Sequence, residues 1–261
     1  FITHCQGFNA LTDELVAHLQ KKSIPLIEDV CESHGAMHGN KKAGAIGLIS
    51  NFSFYYAHHM STIEGGMICT DDDEIYQKLR ILRSHGMVRE SQDEILKNDY
   101  VDRHPDLNPQ FIFAYPAYNV RNNEIGAIMG INQLKRLDDN VRIRNENLFS
   151  FLDLINKEKF FVDFELKGCS NYAFNLVIKD PDEQYTIKLM DAMTNNGIEF
   201  RRGSAGGGNQ LRQPYLKPMF PEKYYENFKE TEHIHFYGFY LGNFPSLPKS
   251  DINEMCEVIN S

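Results

Sequence analysis

Pro25-Leu26-Ile27-Glu28-Asp29-Val30-Cys31-Glu32-Ser33-His34-Gly35 is the stretch on which the fold turns. A short apolar run meets an acidic pair and then a polar, glycine-ended segment, the pattern of a buried strand with a carboxylate at its C-terminal end. Open α/β sheets hold their ligands at that end. Upstream, Leu11, Leu15, Val16 and Leu19 recur at helical spacing behind Asn9 and Thr12 as caps, and Phe1-Ile2-Thr3-His4 reads as a strand. Downstream, residues 46–49, 52–55 and 67–70 suggest three more short strands. Asp71-Asp72-Asp73 then opens a helix with Ile75, Leu79 and Leu82 on one face and Gly86 as its C-cap. Strand and helix alternate through this half, which predicts an α/β fold.

The second half has another style. Residues 87–116 are polar and Pro-containing and read as a surface excursion. A helix starts near Asn123, with Ile125, Ile128, Met129 and Leu134 apolar, and is expected to continue through residues 142–154. Residues 160–164 and 173–178 read as strands, 186–195 as a helix ending at Asn196-Gly197, and 198–201 as a further strand. This is an α+β pattern, so the expected division is a large domain over residues 1–155 and a small C-terminal domain over 156–261.

Composition narrows the function. The 261 residues are 42% hydrophobic and 24% charged, as in an ordinary globular protein, with a net charge of −9. No lysine- or arginine-rich run marks a nucleic-acid surface, and no apolar run has the length of a membrane span. Local arginines can still hold a small anion against the global field. The five cysteines are scattered and form no CxxC pair, which signals no zinc knuckle, iron–sulfur cluster or disulfide framework. A reducing cytoplasm is the simplest setting, and no metal is expected. The chain begins at Phe1 inside an apparent strand, so an upstream segment is expected.

Four segments have the residue types for chemistry, each with a plainer reading beside it. Asp29 can cap a following helix, or can hold a cationic partner such as a protonated pyridine nitrogen. His34 and His38 are four apart but lack a third metal ligand, and packing or capping suits them better. Residues 52–66, Phe52-Ser53-Phe54-Tyr55-Tyr56-Ala57-His58-His59-Met60-Ser61-Thr62-Ile63-Glu64-Gly65-Gly66, run from a strand into a hydroxyl-rich turn with a double glycine. Such a turn suits an anion, although a His-His pair is often structural. Asn119 and Arg121 precede a helix, as a cap and a surface cation or as donors to an anion. Arg201 and Arg202 precede Gly203 and the Gly206-Gly207-Gly208 run, which is either a flexible loop or a backbone that approaches a diphosphate clamped by the arginines.

Taken in order, Ile27-Glu28-Asp29, Phe52-Ser53-Phe54 with Glu64-Gly65-Gly66, Asn119-Val120-Arg121 and Gln133-Leu134-Lys135-Arg136-Leu137 resemble the DegT/DnrJ/EryC1/StrS family. Its members are pyridoxal-phosphate sugar aminotransferases with the aspartate-aminotransferase fold (fold type I), here with a smaller α+β C-terminal domain. The resemblance covers nearly the whole chain and implies that part of the family's N-terminal region, with its phosphate turn and ring-stacking aromatic residue, lies upstream. The family's cofactor lysine follows the Ser-Phe strand. Here that position is His58, and no lysine occurs between Lys42 and Lys78.

A member without that lysine cannot bind its cofactor covalently. The stretch around His58 resembles a family branch of 3-dehydratases that use pyridoxamine phosphate on a GDP-linked 4-keto-6-deoxymannose. A sister branch acting on a CDP-sugar carries an iron–sulfur cluster, against which the scattered cysteines argue. The resemblance implies pyridoxal 5′-phosphate and pyridoxamine 5′-phosphate as cofactors, L-glutamate as amino donor, and a homodimer with shared sites, without nucleic acid or membrane. It further implies that Asp29 pairs with the pyridine nitrogen, Ser53 and Asn119 hold phosphate, Glu32 lies near the ring hydroxyl or helps position a water, and His58 is the catalytic base, with His59 second. Arg121, Arg201 and Arg202 are candidates for the substrate. Imidazole titrates near ~6.5 and lysine near ~10.4, so a histidine serves as a free base near neutrality without a large shift. The competing expectations are a nucleotide-sugar 4-aminotransferase and a non-catalytic cofactor-binding scaffold.

Overall fold

A computed structural model describes residues 1–261, the side chain of Ala205 excepted. The chain forms two compact units. One comprises Phe1–Thr3, Leu11–Cys31 and Lys41–Lys135, and the other His4–Ala10, Glu32–Asn40 and Arg136–Ser261.

The first unit is built on a four-stranded sheet. Strands β1 (Ile2–Thr3), β2 (Ile27–Asp29), β3 (Ile49–Ser53) and β4 (Gly66–Cys69) lie side by side in that order. The first three are parallel and β4 is antiparallel to β3. Parallel neighbours need a crossover, and helix α1 (Asp13–Lys21) supplies it between β1 and β2. Thr12 is its cap, with Oγ1 accepting the Leu15 N–H at 3.1 Å.

The two strands expected over 46–49 and 52–55 are one, Ile49–Ser53. The cause is Glu28, which is fully buried. Its carboxylate accepts the backbone N–H groups of Gly44 (2.9 Å), Ile46 (3.0 Å) and Gly47 (2.6 Å), so those amides are withdrawn from strand pairing. Ser50, opposite Glu28 in register, donates from Oγ to the Gly44 carbonyl at 2.7 Å and holds the same segment.

Helix α2 (Asp73–Leu82) is capped by Asp72 on the Ile75 N–H at 2.8 Å. Gly86 closes it, its N–H reaching the Ile81 carbonyl at 3.0 Å with φ +77°, and a Cβ there would overlap the Tyr115 carbonyl. The expected surface excursion contains a helix, α3 (Glu94–Arg103), with no buried residue. On either side of it the chain pairs with itself: Val120 N–H to Arg83 carbonyl, His85 to Tyr118, Ala114 to Gly86 and Val88 to Ile112, all between 2.8 and 3.0 Å. This pairing leads into α4 (Glu124–Leu134), capped by Asn123 on the Gly126 N–H at 2.9 Å.

The helix expected from Asn123 to residue 154 is two. Helix α4 stops at Leu134 and α5 (Leu137–Leu154) restarts with Asp138 and Asp139 in its first turn, where carboxylates suit the N-terminal end of the helix dipole. The break coincides with the passage from the first unit to the second. The boundary expected near residue 155 lies at the C-terminal end of α5.

In the second unit, β7 (Gly238–Gly242) is the central strand, flanked antiparallel by β5 (Ala173–Val177) and β6 (Phe200–Arg202). Helices α5, α6 (Glu183–Asn195) and α8 (Lys249–Asn260) contribute to its core, and α7 (Lys229–Tyr237) leads into β7. The alternating residues Phe174 and Leu176 of β5 and Phe239 and Leu241 of β7 are buried with Leu148, Phe151, Met193 and Ile252. The Phe151 and Phe174 rings stack at 4.6 Å, and fully burying each such side chain contributes about 1.5–3 kcal/mol.

Arg144 of α5 is buried and donates to the Tyr172 carbonyl at 2.9 Å and to that of Asn243, which ties the helix to adjacent ends of β5 and β7. Burial draws its pKa down to about 10.

Residues 160–164 form no strand. Phe160 alone bridges to Ile178, while Phe161 packs edge-on against Phe164, which stacks on Phe8 at 5.5 Å.

Candidate active site

At the C-terminal end of β2, Asp29 is half-buried and does not cap a helix. Its Oδ1 accepts the Cys31 N–H at 3.1 Å and Asn51 Nδ2 at 2.9 Å. Both bonds fall on one oxygen, so the carboxylate is fixed while Oδ2 stays available to a cationic N–H. Asn51, directly opposite Asp29 on β3, is a site residue that the sequence reading missed. The signal was there: Asn51 precedes Ser53 by two, so the period of a strand puts both on one face.

From Ser53, the last residue of β3, the chain enters the hydroxyl-rich turn. Phe54 N–H to Gly65 carbonyl (2.9 Å) and Thr62 N–H to Phe54 carbonyl (2.9 Å) close it. Inside, Thr62 Oγ1 donates to the Glu64 carbonyl at 2.9 Å and Ser61 Oγ accepts the Ile63 N–H at 3.0 Å. Ile63 has φ +71°, strained for a β-branched residue and of the kind stored at functional turns. Gly65 is required by close approach, since a Cβ would lie 2.5 Å from Thr62 Oγ1.

His58 is half-buried in this turn. Its Nδ1 lies 3.3 Å from the Ser53 carbonyl, and its ring meets Tyr55 edge-on at 5.5 Å. A carbonyl only accepts, so the bond requires a proton on Nδ1 and leaves the basic lone pair of the neutral ring on Nε2. Asp29, Ser53 and His58 are thus brought together on neighbouring elements of one unit.

The Asn119–Arg121 segment is exposed and is held by the pairing of Val120 with Arg83. Arg121 donates to Asn119 Oδ1 from Nε (3.0 Å) and from its backbone N–H (3.3 Å). With its oxygen occupied, Asn119 offers its NH2 beside the remaining guanidinium N–H groups, a donor-only patch suited to an anion.

The other candidates lie in the second unit. Glu32 Oε2 accepts the Gln6 N–H at 2.9 Å and lies 4.0 Å from Cys5 Sγ. Arg201 on β6 is opposite Tyr240 on β7, while Arg202 donates to the Phe236 carbonyl at 3.1 Å. Glu32 and Arg201 both act on Tyr172, which the sequence reading also missed. Burial, Glu32 and Tyr240 push the Tyr172 phenol up to about 12, with Arg144 and Arg201 pulling the other way. Of the paired histidines, His38 bonds Asn9 Nδ2 at 3.3 Å through Nδ1. Among the described residues, no helix is long and apolar enough to cross a membrane.

Comparison with known proteins fits this geometry. The family model for DegT/DnrJ/EryC1/StrS aminotransferases matches residues 1–260. GDP-4-keto-6-deoxy-D-mannose 3-dehydratase of Escherichia coli O55:H7 is 33% identical over 95% of this chain and 63% of that protein. Its Yersinia pseudotuberculosis counterpart is 30% identical over 88% of this chain and 58% of its own length. The chain thus spans about three fifths of these relatives. A solved E. coli GDP-4-keto-6-deoxy-D-mannose 3-dehydratase with bound hydrated PLP superposes with a TM-score of 0.83 at 31% identity, covering 98% of this chain and 66% of that one. PseC, an aminotransferase of Helicobacter pylori, shares the fold at 19% identity and a TM-score of 0.80. With its motifs in order, its fold shared and nearly every residue matched, the chain belongs to the DegT/DnrJ/EryC1/StrS aminotransferase family.

Proposed function

We propose that the protein is a 3-dehydratase that removes the C3 hydroxyl of GDP-4-keto-6-deoxymannose with pyridoxal or pyridoxamine phosphate as cofactor and L-glutamate as amino donor. The product serves 3,6-dideoxy (colitose-type) sugar synthesis for O-antigen, in the cytoplasm. One observation carries the reading. By the motif resemblance, the family's cofactor lysine is replaced by His58, in a turn that follows Ser53 at the strand end beside Asp29. The relatives support it, since one solved dehydratase carries a PLP-glutamate geminal diamine and a variant carries GDP-perosamine.

The residues fit the cofactor. Asp29, steadied by Asn51 and the Cys31 N–H, presents a carboxylate oxygen for a pyridinium N–H. Ser53 Oγ accepts the Tyr55 N–H at 3.3 Å and keeps its own hydrogen for a phosphate oxygen. The family resemblance assigns Glu32 to the ring hydroxyl or to positioning a water. When bound, pyridoxamine phosphate supplies the amine that captures the sugar ketone and a cationic ring that withdraws electrons.

His58 moves the proton. With Nδ1 committed to the Ser53 carbonyl, Nε2 takes up a proton and, as an imidazolium, donates it to the departing C3 hydroxyl. Glutamate leaves as 2-oxoglutarate, and hydrolysis releases ammonia and the 3-deoxy-4-keto sugar. Arg201, Arg202 and Arg121 are the cations for the substrate diphosphate.

The partner that completes the site is a second copy. Asn119, with its donor-only neighbour Arg121, reaches the cofactor phosphate of that copy. Ile125, Ile128 and Ile131 of α4 are between 59% and 73% exposed, an apolar row that a homodimer covers.

The test supplies pyridoxal phosphate, L-glutamate and GDP-4-keto-6-deoxymannose and assays ammonia and the sugar. Stoichiometric ammonia with loss of the C3 hydroxyl, abolished in His58→Asn, is expected. A 4-amino sugar without ammonia would return the protein to the aminotransferases, and no conversion between the aldehyde and amine cofactor forms would make it a scaffold.

A further inference from the structure

Between β6 and β7, residues 203–237 leave the sheet and return through α7. The first part, residues 203–208, follows directly on Arg201 and Arg202 and has positive φ at Gly203 (+77°), Ser204 (+62°), Gly206 (+69°), Gly207 (+80°) and Gly208 (+87°). A turn of this kind has no ladder of its own, so its shape depends on its two ends. At the near end, Gly203 N–H reaches the Gly238 carbonyl at 2.8 Å.

The far end is held through Asn209, which is buried. Its backbone N–H donates to His235 Nδ1 at 3.1 Å, and its Nδ2 donates to Glu232 Oε1 at 2.7 Å. Glu232 and His235 are three apart on α7 and so share a face. Arg212 completes the cluster. It bonds both oxygens of Glu232, at 2.9 and 3.1 Å from Nε, and lies over the rings of Tyr225 (4.0 Å) and Phe236 (4.9 Å). Gly208 is pressed onto the histidine, for a Cβ there would overlap the imidazole.

We propose that His235 is a positioning residue: its neutral ring accepts the Asn209 N–H and thereby sets the turn of residues 203–208 in the shape that receives the substrate's diphosphate. This rests on the reading of Arg201, Arg202 and that turn as the diphosphate site. The acceptor role has a chemical condition. An imidazolium carries hydrogens on both nitrogens, so protonation sets a donor against a donor. Facing the ring are Arg202 from β6, Arg212 from the excursion, Glu232 from α7 and the Gly207 backbone.

Burial, then Arg212 and Arg202, hold the His235 pKa below the usual histidine value, with Glu232 and a hydrogen bond to Gly207 opposing. A histidine depressed on folding contributes stability that is present above its unfolded value, about 6.5, and is lost as pH falls through the lowered one. The turn is therefore set near neutrality and loosens in acid.

The experiment compares the holoenzyme with His235→Asn, whose Oδ1 accepts but does not titrate, and His235→Phe, which fills the space without an acceptor. Hydrogen exchange over residues 203–212 and the KM for GDP-4-keto-6-deoxymannose are followed from about pH 7.5 to about pH 5.5. In the wild type, protection falls and KM rises about five-fold, the worth of one hydrogen bond, with kcat changing less. The Asn variant keeps protection and KM across the range, and the Phe variant shows the acid values throughout. Identical pH dependence in wild type and Asn variant, or full protection in the Phe variant, would overturn the proposal. Loosening without a change in KM would refute the diphosphate reading of the turn, and with it the positioning role, while the hydrogen bond itself stood.

Discussion

Replacing Glu28 by glutamine tests the claim that one buried carboxylate organises the segment between β2 and β3. The bonds from the Ile46 and Gly47 amides fall on Oε1, and that from the Gly44 amide falls on Oε2. A glutamine that keeps its oxygen in the Oε1 place retains two bonds and turns its NH2 onto the Gly44 N–H, donor against donor. Stranding that buried amide costs about 1–3 kcal/mol. The two surviving bonds lose the charge that made them worth about 1.5–3 kcal/mol each and drop to about 0.5–1.5. The total is about 3–6 kcal/mol, a large fraction of the ~5–15 kcal/mol that holds a typical domain folded. Urea denaturation with an unchanged m-value measures the loss, and faster exchange of the Gly44 amide locates it. A change within about 0.5 kcal/mol, the range of an idle surface substitution, would refute the argument.

Other outcomes follow from the same geometry. Asn51→Ala removes a bond to the Asp29 carboxylate and is expected to weaken pyridoxal-phosphate binding about ten-fold while far-UV dichroism stays unchanged; an unaltered Kd by titration would count against Asn51 as the support of Asp29. Gly7 has φ +90° and a Cβ there would overlap the Ser170 carbonyl, so Gly7→Ala should cost about 3 kcal/mol or prevent folding, and a wild-type melting midpoint would contradict this. Burial pushes the Cys169 and Cys256 thiols up to about 12, so at mildly alkaline pH a thiol reagent should label them only as the protein unfolds, whereas exposed Cys69 is accessible; labelling of all three at one rate would be inconsistent with that burial.

What was legible in the sequence was whatever left a period or a fixed-order motif. The apolar run into Asp29, the Thr12 cap and the helix starts at Asp71-Asp72-Asp73 and near Asn123 are of that kind, because each is set by its immediate neighbours. Helix α3 left no such trace. It buries nothing and rests on its Asp93 cap and on surface ion pairs such as Arg103–Asp99, so there was no apolar stripe to count. The Phe160–Phe164 run misled in the opposite way, since its aromatic side chains serve ring packing against Phe8 rather than a ladder. At the candidate site, His58 was conspicuous as a departure from the family pattern, whereas Asn51 is joined to Asp29 through a register pairing that emerges only when strands assemble.

Glu28 and Asp29 are chemically near-equivalent acids on consecutive residues, yet one is a structural staple and the other shares the face of Asn51 at the C-terminal end of the strand. Nothing in either side chain decides this; the alternation of a strand does, as their register partners Ser50 and Asn51 mirror on β3. A one-residue slip of β2 would conserve composition and charge while turning each of its side chains to the opposite face and exchanging the addresses of the two carboxylates. The wrong acid would then stand at the mouth of the sheet, and the loop would lose its staple in the same event. Correct folding and a competent site are in this sense a single parity choice, and a chain that makes it wrongly fails at both together.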